Sequence, residues 1–258
     1  MNIYQETAGN VARLAGEHLI HELTKNGGRK AIHEKDFGET VTNFDRDVNA
    51  FIIKELQKAF PDHDIITEEA DEIDGKSSGN RWFVDPIDGT NNFVRNIPLY
   101  CVSIGYEEGG VMSAGAIYDP INRVLFHGSL EDGSFMEDKA LKVSSTQKLN
   151  DAFVSSGYGY DPRHKETHAP IWEAITRQAK GSRSLGTAAL MLAYIARGDM
   201  DGLILTGDKA WDNAAGAVLI RAAGGRVTNY KGEDWIPGME NIVASNGLIH
   251  DELLALIK

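Results

Sequence analysis

Residues 82–93, WFVDPIDGTNNF, are the stretch that decides the fold of this chain and points to its chemistry. An apolar strand runs into Asp85, and Pro86 then removes a backbone donor, so the hydrogen-bond ladder is expected to stop there. A second acid, Asp88, follows three residues after the first. Behind it, the pair Gly89-Thr90 lets backbone amides and a hydroxyl approach phosphate oxygens, provided that the strand opens into a turn or a helix. An Asp-x-x-Asp pattern alone more often marks an acidic turn, but the strand, the proline and the Gly-Thr pair favour a functional site.

Two further groups of acids lie at the ends of predicted elements. Glu68 and Glu69 directly follow a short apolar strand, residues 64–67. Adjacent residues cannot share one face of a strand, so we expect one glutamate to point at the site and the other at solvent or a second layer of residues. Asp212 begins a helix rich in small residues, 211–223, which permit close packing against whatever lies beneath its start. Taken alone, each of these acids is more simply a solvated charge or a helix-capping residue.

The composition is that of an ordinary globular protein with an acidic balance. Among 258 residues, 26 Lys and Arg against 38 Asp and Glu give a net charge of -12, which would repel nucleic acid and anionic lipid. We therefore expect no nucleic-acid and no membrane partner, and a cation as intermediary for any anionic substrate. The single cysteine, Cys101, excludes an intrachain disulfide, and the opening residues lack the pattern of a signal peptide. The expected location is the cytoplasm.

The spacing of apolar residues predicts a helical pair, then a sheet, then a layered α/β half. Helices are expected at about residues 3–25 and from about 44 to Pro61. Strands, the last three in an antiparallel meander, are expected at 64–67, 81–85, 101–106, 112–118 and 123–129. Beyond about residue 140, strands are expected at 152–155, 202–205, 226–228 and 242–244, and helices at 167–178, 187–197, 211–223 and from 248. We predict two halves in one continuous structural unit: residues 1–140 with Glu68 and the DPIDGT motif, and residues 141–258 with Asp212.

Three separated motifs together resemble one known family. The DPIDGT motif after its apolar strand, the upstream Glu-Glu pair and the downstream WD-x-AAG helix occur in the order found in the inositol monophosphatase family. This lithium-sensitive, magnesium-dependent sugar phosphatase superfamily also includes fructose-1,6-bisphosphatases, adenosine bisphosphate phosphatases and NADP phosphatases. The resemblance spans residues 45–225. It implies an α+β fold of layered α-β-α-β-α type, and a homodimer.

The resemblance also implies a set of metal ligands, which would hold two to three Mg²⁺ ions. By motif position these ligands are Glu68, Asp85, the carbonyl of Ile87, Asp88 and Asp212. Hard oxygen donors suit Mg²⁺, which keeps several waters and is completed by substrate phosphate. Clustered carboxylates without cations would raise one another's pKa.

The reaction that the resemblance implies is hydrolysis of a small phosphorylated substrate by in-line attack of a metal-activated water, with no phosphoenzyme. Glu68 and Thr90 would orient the water, and Asp45 would hydrogen-bond Thr90 and help it pass on a proton. The amides of Gly89 and Thr90 would bind phosphate oxygens. The other substrate-binding positions implied are Asp88, Ala188 and Asp212. The polar segment 27–41, with Lys35, matches a mobile loop over the metals.

The chain departs from the family where the substrate's alcohol is recognised. Inositol-selective relatives carry a glutamate seven residues before the aspartate of the WD motif, and this chain has Leu205 there. The departure puts inositol 1-phosphate in doubt and leaves other phosphomonoesters open. Asp208 or Lys209 would replace the missing glutamate if the loop is shifted. Residues 157–161 are either a wall of that pocket or, more simply, a Tyr/Gly-rich turn.

Other functional classes agree less well with the residues. The D-x-D-x-T motif of haloacid-dehalogenase phosphatases is one residue shorter between its acids. His164 and His168 have metal-ligand spacing but no evident third ligand, and we expect them on the surface. A binding or regulatory protein that keeps the metal cage to sense a phosphorylated metabolite is the alternative outside enzymes. The five intact positions favour the enzyme: Glu68, Asp85, Asp88, Thr90 and Asp212.

Overall fold

A computed structural model describes residues 2–70, 73, 75 and 79–257 of the chain. Its helices in these ranges are α1 (Ile3–Lys25), α2 (Asn43–Ala59), α3 (Thr90–Val94), α4 (Pro162–Gln178), α5 (Ala188–Arg197), α6 (Ala210–Ala222) and α7 (His250–Leu254). None of the helices in the described ranges is both long and apolar enough to span a membrane.

The first large sheet has its strands in chain order. A two-stranded hairpin, β1 (Ile32–Glu34) and β2 (Thr40–Thr42), precedes α2. The sheet itself consists of β3 (Asp64–Thr67), β4 (Asn80–Asp88), β5 (Cys101–Glu108), β6 (Val111–Asp119), β7 (Val124–Ser129), β8 (Gly133–Met136) and β9 (Lys139–Ala140). Strands β3 and β4 are parallel, and the rest of the sheet is an antiparallel meander, as the turn residues predict.

The second sheet is mixed and has crossover connections. Its strands are β10 (Phe153–Tyr158), β11 (Gly181–Arg183), β12 (Gly202–Thr206), β13 (Arg226–Thr228) and β14 (Asn241–Ser245). Their order across the sheet is β11-β10-β12-β14-β13. Because β10 and β12 are parallel neighbours, the loops that follow them leave from the same edge of the sheet.

Three apolar cores fill the four interfaces between five layers, because one core packs on both sides of α5 and α6. On β4, Trp82 and Val84 face α1 and α2, whereas Phe83 faces α5 and α6. Helices α5 and α6 also cover one face of the second sheet, and α4 and α7 cover its other face. The predicted α-β-α-β-α fold is therefore confirmed. Since α5 and α6 pack on both sheets, we retain the proposal that residues 1–140 and 141–258 form one structural unit.

The structure differs from the sequence prediction at three places. The polar segment 27–41, interpreted as a loop, includes β1 and most of β2, which pair as a hairpin. Strand β4 continues through Pro86 instead of ending before it. Helix α4 starts at Pro162, capped by Asp161, earlier than the predicted residue 167, and its buried face includes His168, which is 5% exposed. The expectation of a surface position is wrong for His168, because it shares a helical face with the buried Ile171 and Ile175.

His250 provides a test of stability away from the candidate site. Its Nε2 lies 2.9 Å from Thr228 Oγ1 and its Nδ1 lies 2.9 Å from Ser245 Oγ. Burial and the charge of Arg226 lower the pKa of His250 to about 4. In the unfolded chain, the His250 side chain takes up a proton near pH 6.5, whereas the folded protein resists this uptake. The contribution of neutral His250 to stability is therefore complete above about pH 6.5 and is lost as the pH falls toward the folded pKa. Between pH 7 and pH 5, we expect the urea midpoint of the wild type to fall relative to that of His250→Gln. Equal pH dependence of the two proteins would contradict this.

Candidate active site

A β-bulge brings Asp85 and Asp88 to one face of the first sheet. Asp85 pairs with Ser103 and Asp88 pairs with Cys101, so three steps along β4 match two along β5. Without the bulge, residues three apart would point to opposite faces. Pro86 is tolerated because the bulge takes it out of the ladder, and the next amide, that of Ile87, donates to Asp85 Oδ1 at 2.9 Å.

The carboxylate of Asp88 is bound to the start of α5. It accepts hydrogen bonds from Ala188 N at 3.1 Å, from Ala189 N at 2.7 Å and from the Thr187 hydroxyl. Cys101 Sγ lies 3.6 Å away. Two residues expected at the site, Asp88 and Ala188, are therefore in direct contact. The role of Thr187 was missed in the sequence, although Thr before a helix is a common capping residue.

Thr90 connects the DPIDGT motif to α2. Its Oγ1 lies 3.1 Å from Asp45 Oδ1 and 2.9 Å from the Ile87 carbonyl. Asp45 is held in turn by Thr42, whose amide and hydroxyl donate to Asp45 Oδ2 at 2.7 and 2.5 Å. Burial raises the pKa of Asp45 to about 6, against the hydrogen bonds of Thr42, which lower it. The expected contact between Thr90 and Asp45 is present.

Gly89 makes the turn from β4 into α3 possible. Its φ is +93°, a left-handed conformation that favours glycine. A Cβ built on Gly89 would lie 3.0 Å from the Leu99 carbonyl oxygen and 3.2 Å from that of Gly186. The glycine therefore provides the close approach of the backbone that the motif predicts, and it places the Gly89 and Thr90 amides at the start of α3.

Glu68 and Glu69 share one cation, Lys35. Lys35 Nζ lies 3.4 Å from Glu68 Oε1, 2.5 Å from Glu69 Oε1 and 2.9 Å from Glu39 Oε1. Both glutamates lie in a turn after β3, where strand alternation no longer applies, so both can reach Lys35. The charge of Glu68 also raises the pKa of Asp85, and the Glu69 side chain is 3% exposed, so the arrangement agrees with one glutamate at the site and the other in a second layer. Burial lowers the pKa of Lys35, but the neighbouring acids outweigh it and raise the pKa.

Two glycines bring the start of α6, and with it Asp212, close to the first sheet. A Cβ on Gly105 would lie 2.7 Å from Ala214 Cβ, and one on Gly115 would lie 2.8 Å from Ala215 Cα. Near the bulge, Ser103 Oγ donates to the Trp211 carbonyl at 3.4 Å. Asp212 lies in the first turn of α6 and accepts from Lys209 N at 2.7 Å. The chain thus places Asp212 beside the strand pair that carries Asp85.

Four carboxylates form what we call the acidic centre: Glu68, Asp85, Asp88 and Asp212. Burial raises the pKa of each. The charges of the other three members raise the pKa of Asp85 further. Lys35 opposes this at Glu68, whose pKa its charge lowers. Carboxylates that oppose one another's ionisation require additional positive charge before all of them can be ionised.

The acidic centre fits Mg²⁺ in the type and the charge of its donors. All the donors are hard oxygens, and their mutual repulsion is what a divalent cation offsets. Across the described ranges, no group of three His, Cys, Asp or Glu side chains is arranged to hold a metal as it stands. All four already have a partner within the chain: Glu68 has Lys35, Asp88 has the start of α5, and Asp85 and Asp212 each accept from a backbone amide. Mg²⁺ usually needs only one or two carboxylates besides water and substrate phosphate, so the acidic centre is a suitable site for it.

Leu205 is part of the apolar core. It is 1% exposed and belongs to the core between the two sheets. A Cβ on Gly157 would lie 3.0 Å from Leu205 Cδ2 and 3.8 Å from Met191 Cε. No polar group can therefore reach a substrate from this position, and any polar recognition of the alcohol must come from other residues.

Comparisons with known proteins agree over the whole chain. The model of the inositol monophosphatase family matches residues 3–258. The inositol-1-monophosphatase of Mesorhizobium japonicum is 40% identical over 262 residues, which cover 96% of this chain and 98% of that protein. The Nus factor SuhB of Haemophilus influenzae is 34% identical over 253 residues, covering 96% of this chain and 95% of that protein.

A solved structure agrees equally well. The crystal structure of extragenic suppressor protein suhB from Bartonella henselae has a TM-score of 0.93 at 35% identity, and the match covers 100% of this chain and 99% of that one. The match is in fold as well as in sequence, and it includes both sheets and all three helical layers. The chain therefore belongs to the inositol monophosphatase family, whose members are generally metal-dependent and act on small phosphorylated substrates.

Proposed function

We propose that this protein is a Mg²⁺-dependent phosphomonoesterase that hydrolyses a small phosphorylated alcohol. The observation that carries the proposal is the hydrogen-bonded series from Asp45 through Thr90 to the Ile87 carbonyl, next to the acidic centre. This series places a proton acceptor, Asp45, beside a hydroxyl that also contacts the backbone carbonyl between Asp85 and Asp88. Family membership and the relative named inositol-1-monophosphatase support the same chemistry.

In this proposal Glu68, Asp85, Asp88, Asp212 and the Ile87 carbonyl hold two to three ions. When bound, Mg²⁺ supplies positive charge that offsets the phosphate and lowers the pKa of an attacking water. The ions would require Glu68 to exchange Lys35 for a new partner, and Lys35 then remains paired with Glu69 and Glu39.

The remaining roles belong to the chain itself. Glu68 and the Thr90 hydroxyl orient the attacking water, and Thr90 passes its proton to Asp45, whose raised pKa favours proton uptake. The Gly89 and Thr90 amides bind phosphate oxygens at the start of α3. Asp88, Ala188 and Asp212 complete the substrate side of the site, where α5 and α6 begin.

A phosphate-release panel tests the proposal. We expect the protein with Mg²⁺ to release phosphate from at least one of inositol 1-phosphate, fructose 1,6-bisphosphate, adenosine 3',5'-bisphosphate and NADP. Excess EDTA should abolish release, added Mg²⁺ should restore it, and millimolar lithium should inhibit it. Release that is unaffected by EDTA would contradict the metal dependence.

A second candidate is a metal-dependent regulatory protein that binds a phosphorylated metabolite. This candidate is favoured by the Haemophilus influenzae relative, because its name, Nus factor SuhB, does not mention a phosphatase. This candidate predicts that a panel compound raises the melting temperature in the presence of Mg²⁺ without release of phosphate. The acidic centre and Thr90 are intact, which favours the enzyme, because a regulator has no need of the Thr90–Asp45 contact.

We also propose that the protein acts in the cytoplasm as a homodimer. The location is inferred from the sequence, which has one cysteine, and this cysteine is buried. The dimer is inferred from the family alone. Light scattering after size exclusion tests the dimer, and a monomeric mass would contradict it.

A further inference from the structure

Two loops lie side by side at the edge of the second sheet next to Asp212. Tyr158 and Thr206 are register partners at the carboxyl ends of the parallel strands β10 and β12. The loops that follow remain in contact, because Gly159 N donates to the Thr206 carbonyl at 2.8 Å and a Cβ on Gly159 would lie 2.3 Å from the Gly207 carbonyl oxygen. In mixed α/β sheets, ligands bind outside the carboxyl ends of such strands.

The first loop presents Tyr160 to the site. The Tyr160 hydroxyl accepts a hydrogen bond from Asn91 Nδ2 at 3.2 Å, and Asn91 Oδ1 accepts one from Thr40 Oγ1 at 3.0 Å. Asn91 directly follows Thr90, so this contact fixes Tyr160 beside the phosphate-binding turn. The phenol is near the acidic centre as well, since burial and the charges of Glu68 and other acids raise its pKa. The residue is 39% exposed, so a ligand can reach its ring.

The second loop carries a buried carboxylate that has an open acceptor. Oδ2 of Asp208 is buried and has no hydrogen-bond partner within the part of the chain that the structure describes. The Asp208 backbone is held by its amide, which donates to the Glu240 carbonyl at 2.9 Å. Its charge raises the pKa of Asp212, so the two acids are close. A buried polar atom without a partner costs free energy, and a ligand that supplies the partner recovers it.

We propose that Tyr160 and Asp208 form the wall that recognises the alcohol part of the substrate, taking over from the apolar Leu205. The substrate class is a phosphate ester of a polyhydroxylated ring or chain. One of its hydroxyls bonds to Asp208 Oδ2, and its carbon skeleton packs against the Tyr160 ring. The inference rests on the proposed function. A hydroxyl can donate or accept, so it bonds to either protonation form of Asp208.

The test compares substrates with and without alcohol hydroxyls. Inositol 1-phosphate and fructose 1,6-bisphosphate are the polyhydroxylated probes, and p-nitrophenyl phosphate is the probe without hydroxyls. We expect Asp208→Leu to lower kcat/KM for the polyhydroxylated probe that the wild type prefers by about tenfold or more, and to leave p-nitrophenyl phosphate within about twofold. Asp208→Asn, which keeps an acceptor, should recover part of the loss, and Tyr160→Phe should weaken both classes only slightly.

Two controls separate recognition from other roles. Asp151→Leu removes an exposed acid just before the amino end of β10, and the site lies at the other end of that strand. This variant should leave the preference for polyhydroxylated substrates over p-nitrophenyl phosphate unchanged. The Mg²⁺ concentration for half-maximal activity should be the same in Asp208→Asn and Asp208→Leu, because both variants remove the charge that acts on Asp212. A difference between the two variants in that concentration, or an equal loss on all substrates, overturns the proposal, because it assigns Asp208 to metal binding or to structure.

A binding measurement tests whether Asp208 recognises the substrate's hydroxyls, and it does not depend on turnover. With Mg²⁺ present, inorganic phosphate should raise the melting temperature of the wild type and Asp208→Leu equally, whereas inositol 1-phosphate or fructose 1,6-bisphosphate should stabilise the wild type more. If the wild type releases no phosphate from any probe, the proposed function fails, and this difference in melting temperature still supports the wall. The proposed role of Tyr160 and Asp208 is wrong if the polyhydroxylated probes stabilise the wild type and Asp208→Leu equally, or stabilise neither. It is also wrong if the wild type hydrolyses only p-nitrophenyl phosphate.

Discussion

Asp85→Asn is expected to abolish phosphate release and, at the same time, to stabilise the metal-free protein. Asp85 is 2% exposed, and burial and the charges of the acidic centre raise its pKa. Asparagine still accepts from the Ile87 amide, so the bulge is kept, but one negative charge is removed. We expect kcat to fall about 1000-fold or more, since a metal site supplies several kcal/mol of transition-state stabilisation.

Asp85→Asn should increase the stability of the metal-free protein, although it decreases kcat. In EDTA at pH 7, we expect Asp85→Asn to raise the free energy of urea unfolding by about 1–3 kcal/mol, because the folded protein no longer buries an unpaired charge or takes up a proton. An acid whose pKa is raised in the folded state favours folding at low pH, and that contribution is lost as the pH rises from the unfolded toward the folded pKa. The chelated wild type should therefore lose stability over that window, and the variant should lose less.

Asp201→Asn is the matched control, because Asp201 is also a buried acid. It is 6% exposed and accepts from Ser144 Oγ at 2.5 Å and Phe153 N at 2.7 Å, at the amino end of β12. This change should cost about 1 kcal/mol of stability and leave kcat unchanged. A stable and fully active Asp85→Asn enzyme would remove the basis for the metal site.

Gly105→Ala is expected to reduce both stability and activity, although it adds a single methyl group. The new Cβ would lie 2.7 Å from Ala214 Cβ and 2.9 Å from Ala215 N, so the backbone of α6 has to move away from the sheet. Overpacking of this kind costs about 1–3 kcal/mol, and more where backbone must shift. Because Asp212 is in the first turn of α6, its displacement should also lower kcat.

Two comparisons make this test specific. Gly9→Ala, in the middle of α1, meets Leu125 Cδ2 at 3.2 Å, the mobile end of a side chain, and should be neutral or stabilising by up to about 1 kcal/mol through helix propensity. Ala214→Gly in the Gly105→Ala background removes one of the two close contacts and should recover part of the activity. An unchanged melting temperature for Gly105→Ala would show that α6 does not depend on this close approach.

The sequence predicted well what depends on local patterns. The helical period of α1 and the turn residues of the meander gave elements close to those observed, because each pattern reports which side of an element is buried. The position of Asp212 in the first turn of α6 follows from the same kind of reading. The motifs, through the resemblance, also gave the layered fold and the residues that meet at the candidate site.

Other features depend on contacts between distant segments and were not predicted. The bulge after Asp85 depends on the pairing with β5, and the pairing of both glutamates with Lys35 depends on where the hairpin lies. His168 was expected on the surface although it lies within the predicted helix 167–178, because its burial depends on the packing of α4 against β10, where Ser156 Oγ lies 3.4 Å from His168 Nε2.

The sequence by itself therefore determined the family, the order of the layers and the identity of the acids, since these follow from residue types at given spacings. The tertiary structure alone decided which side chains face one another: Asp88 on the start of α5, Leu205 inside the core, and Tyr160 beside the loop of Asp208. The physical reason is that burial and charge coupling depend on distances between residues that are far apart in the chain, and spacing along the sequence does not contain those distances.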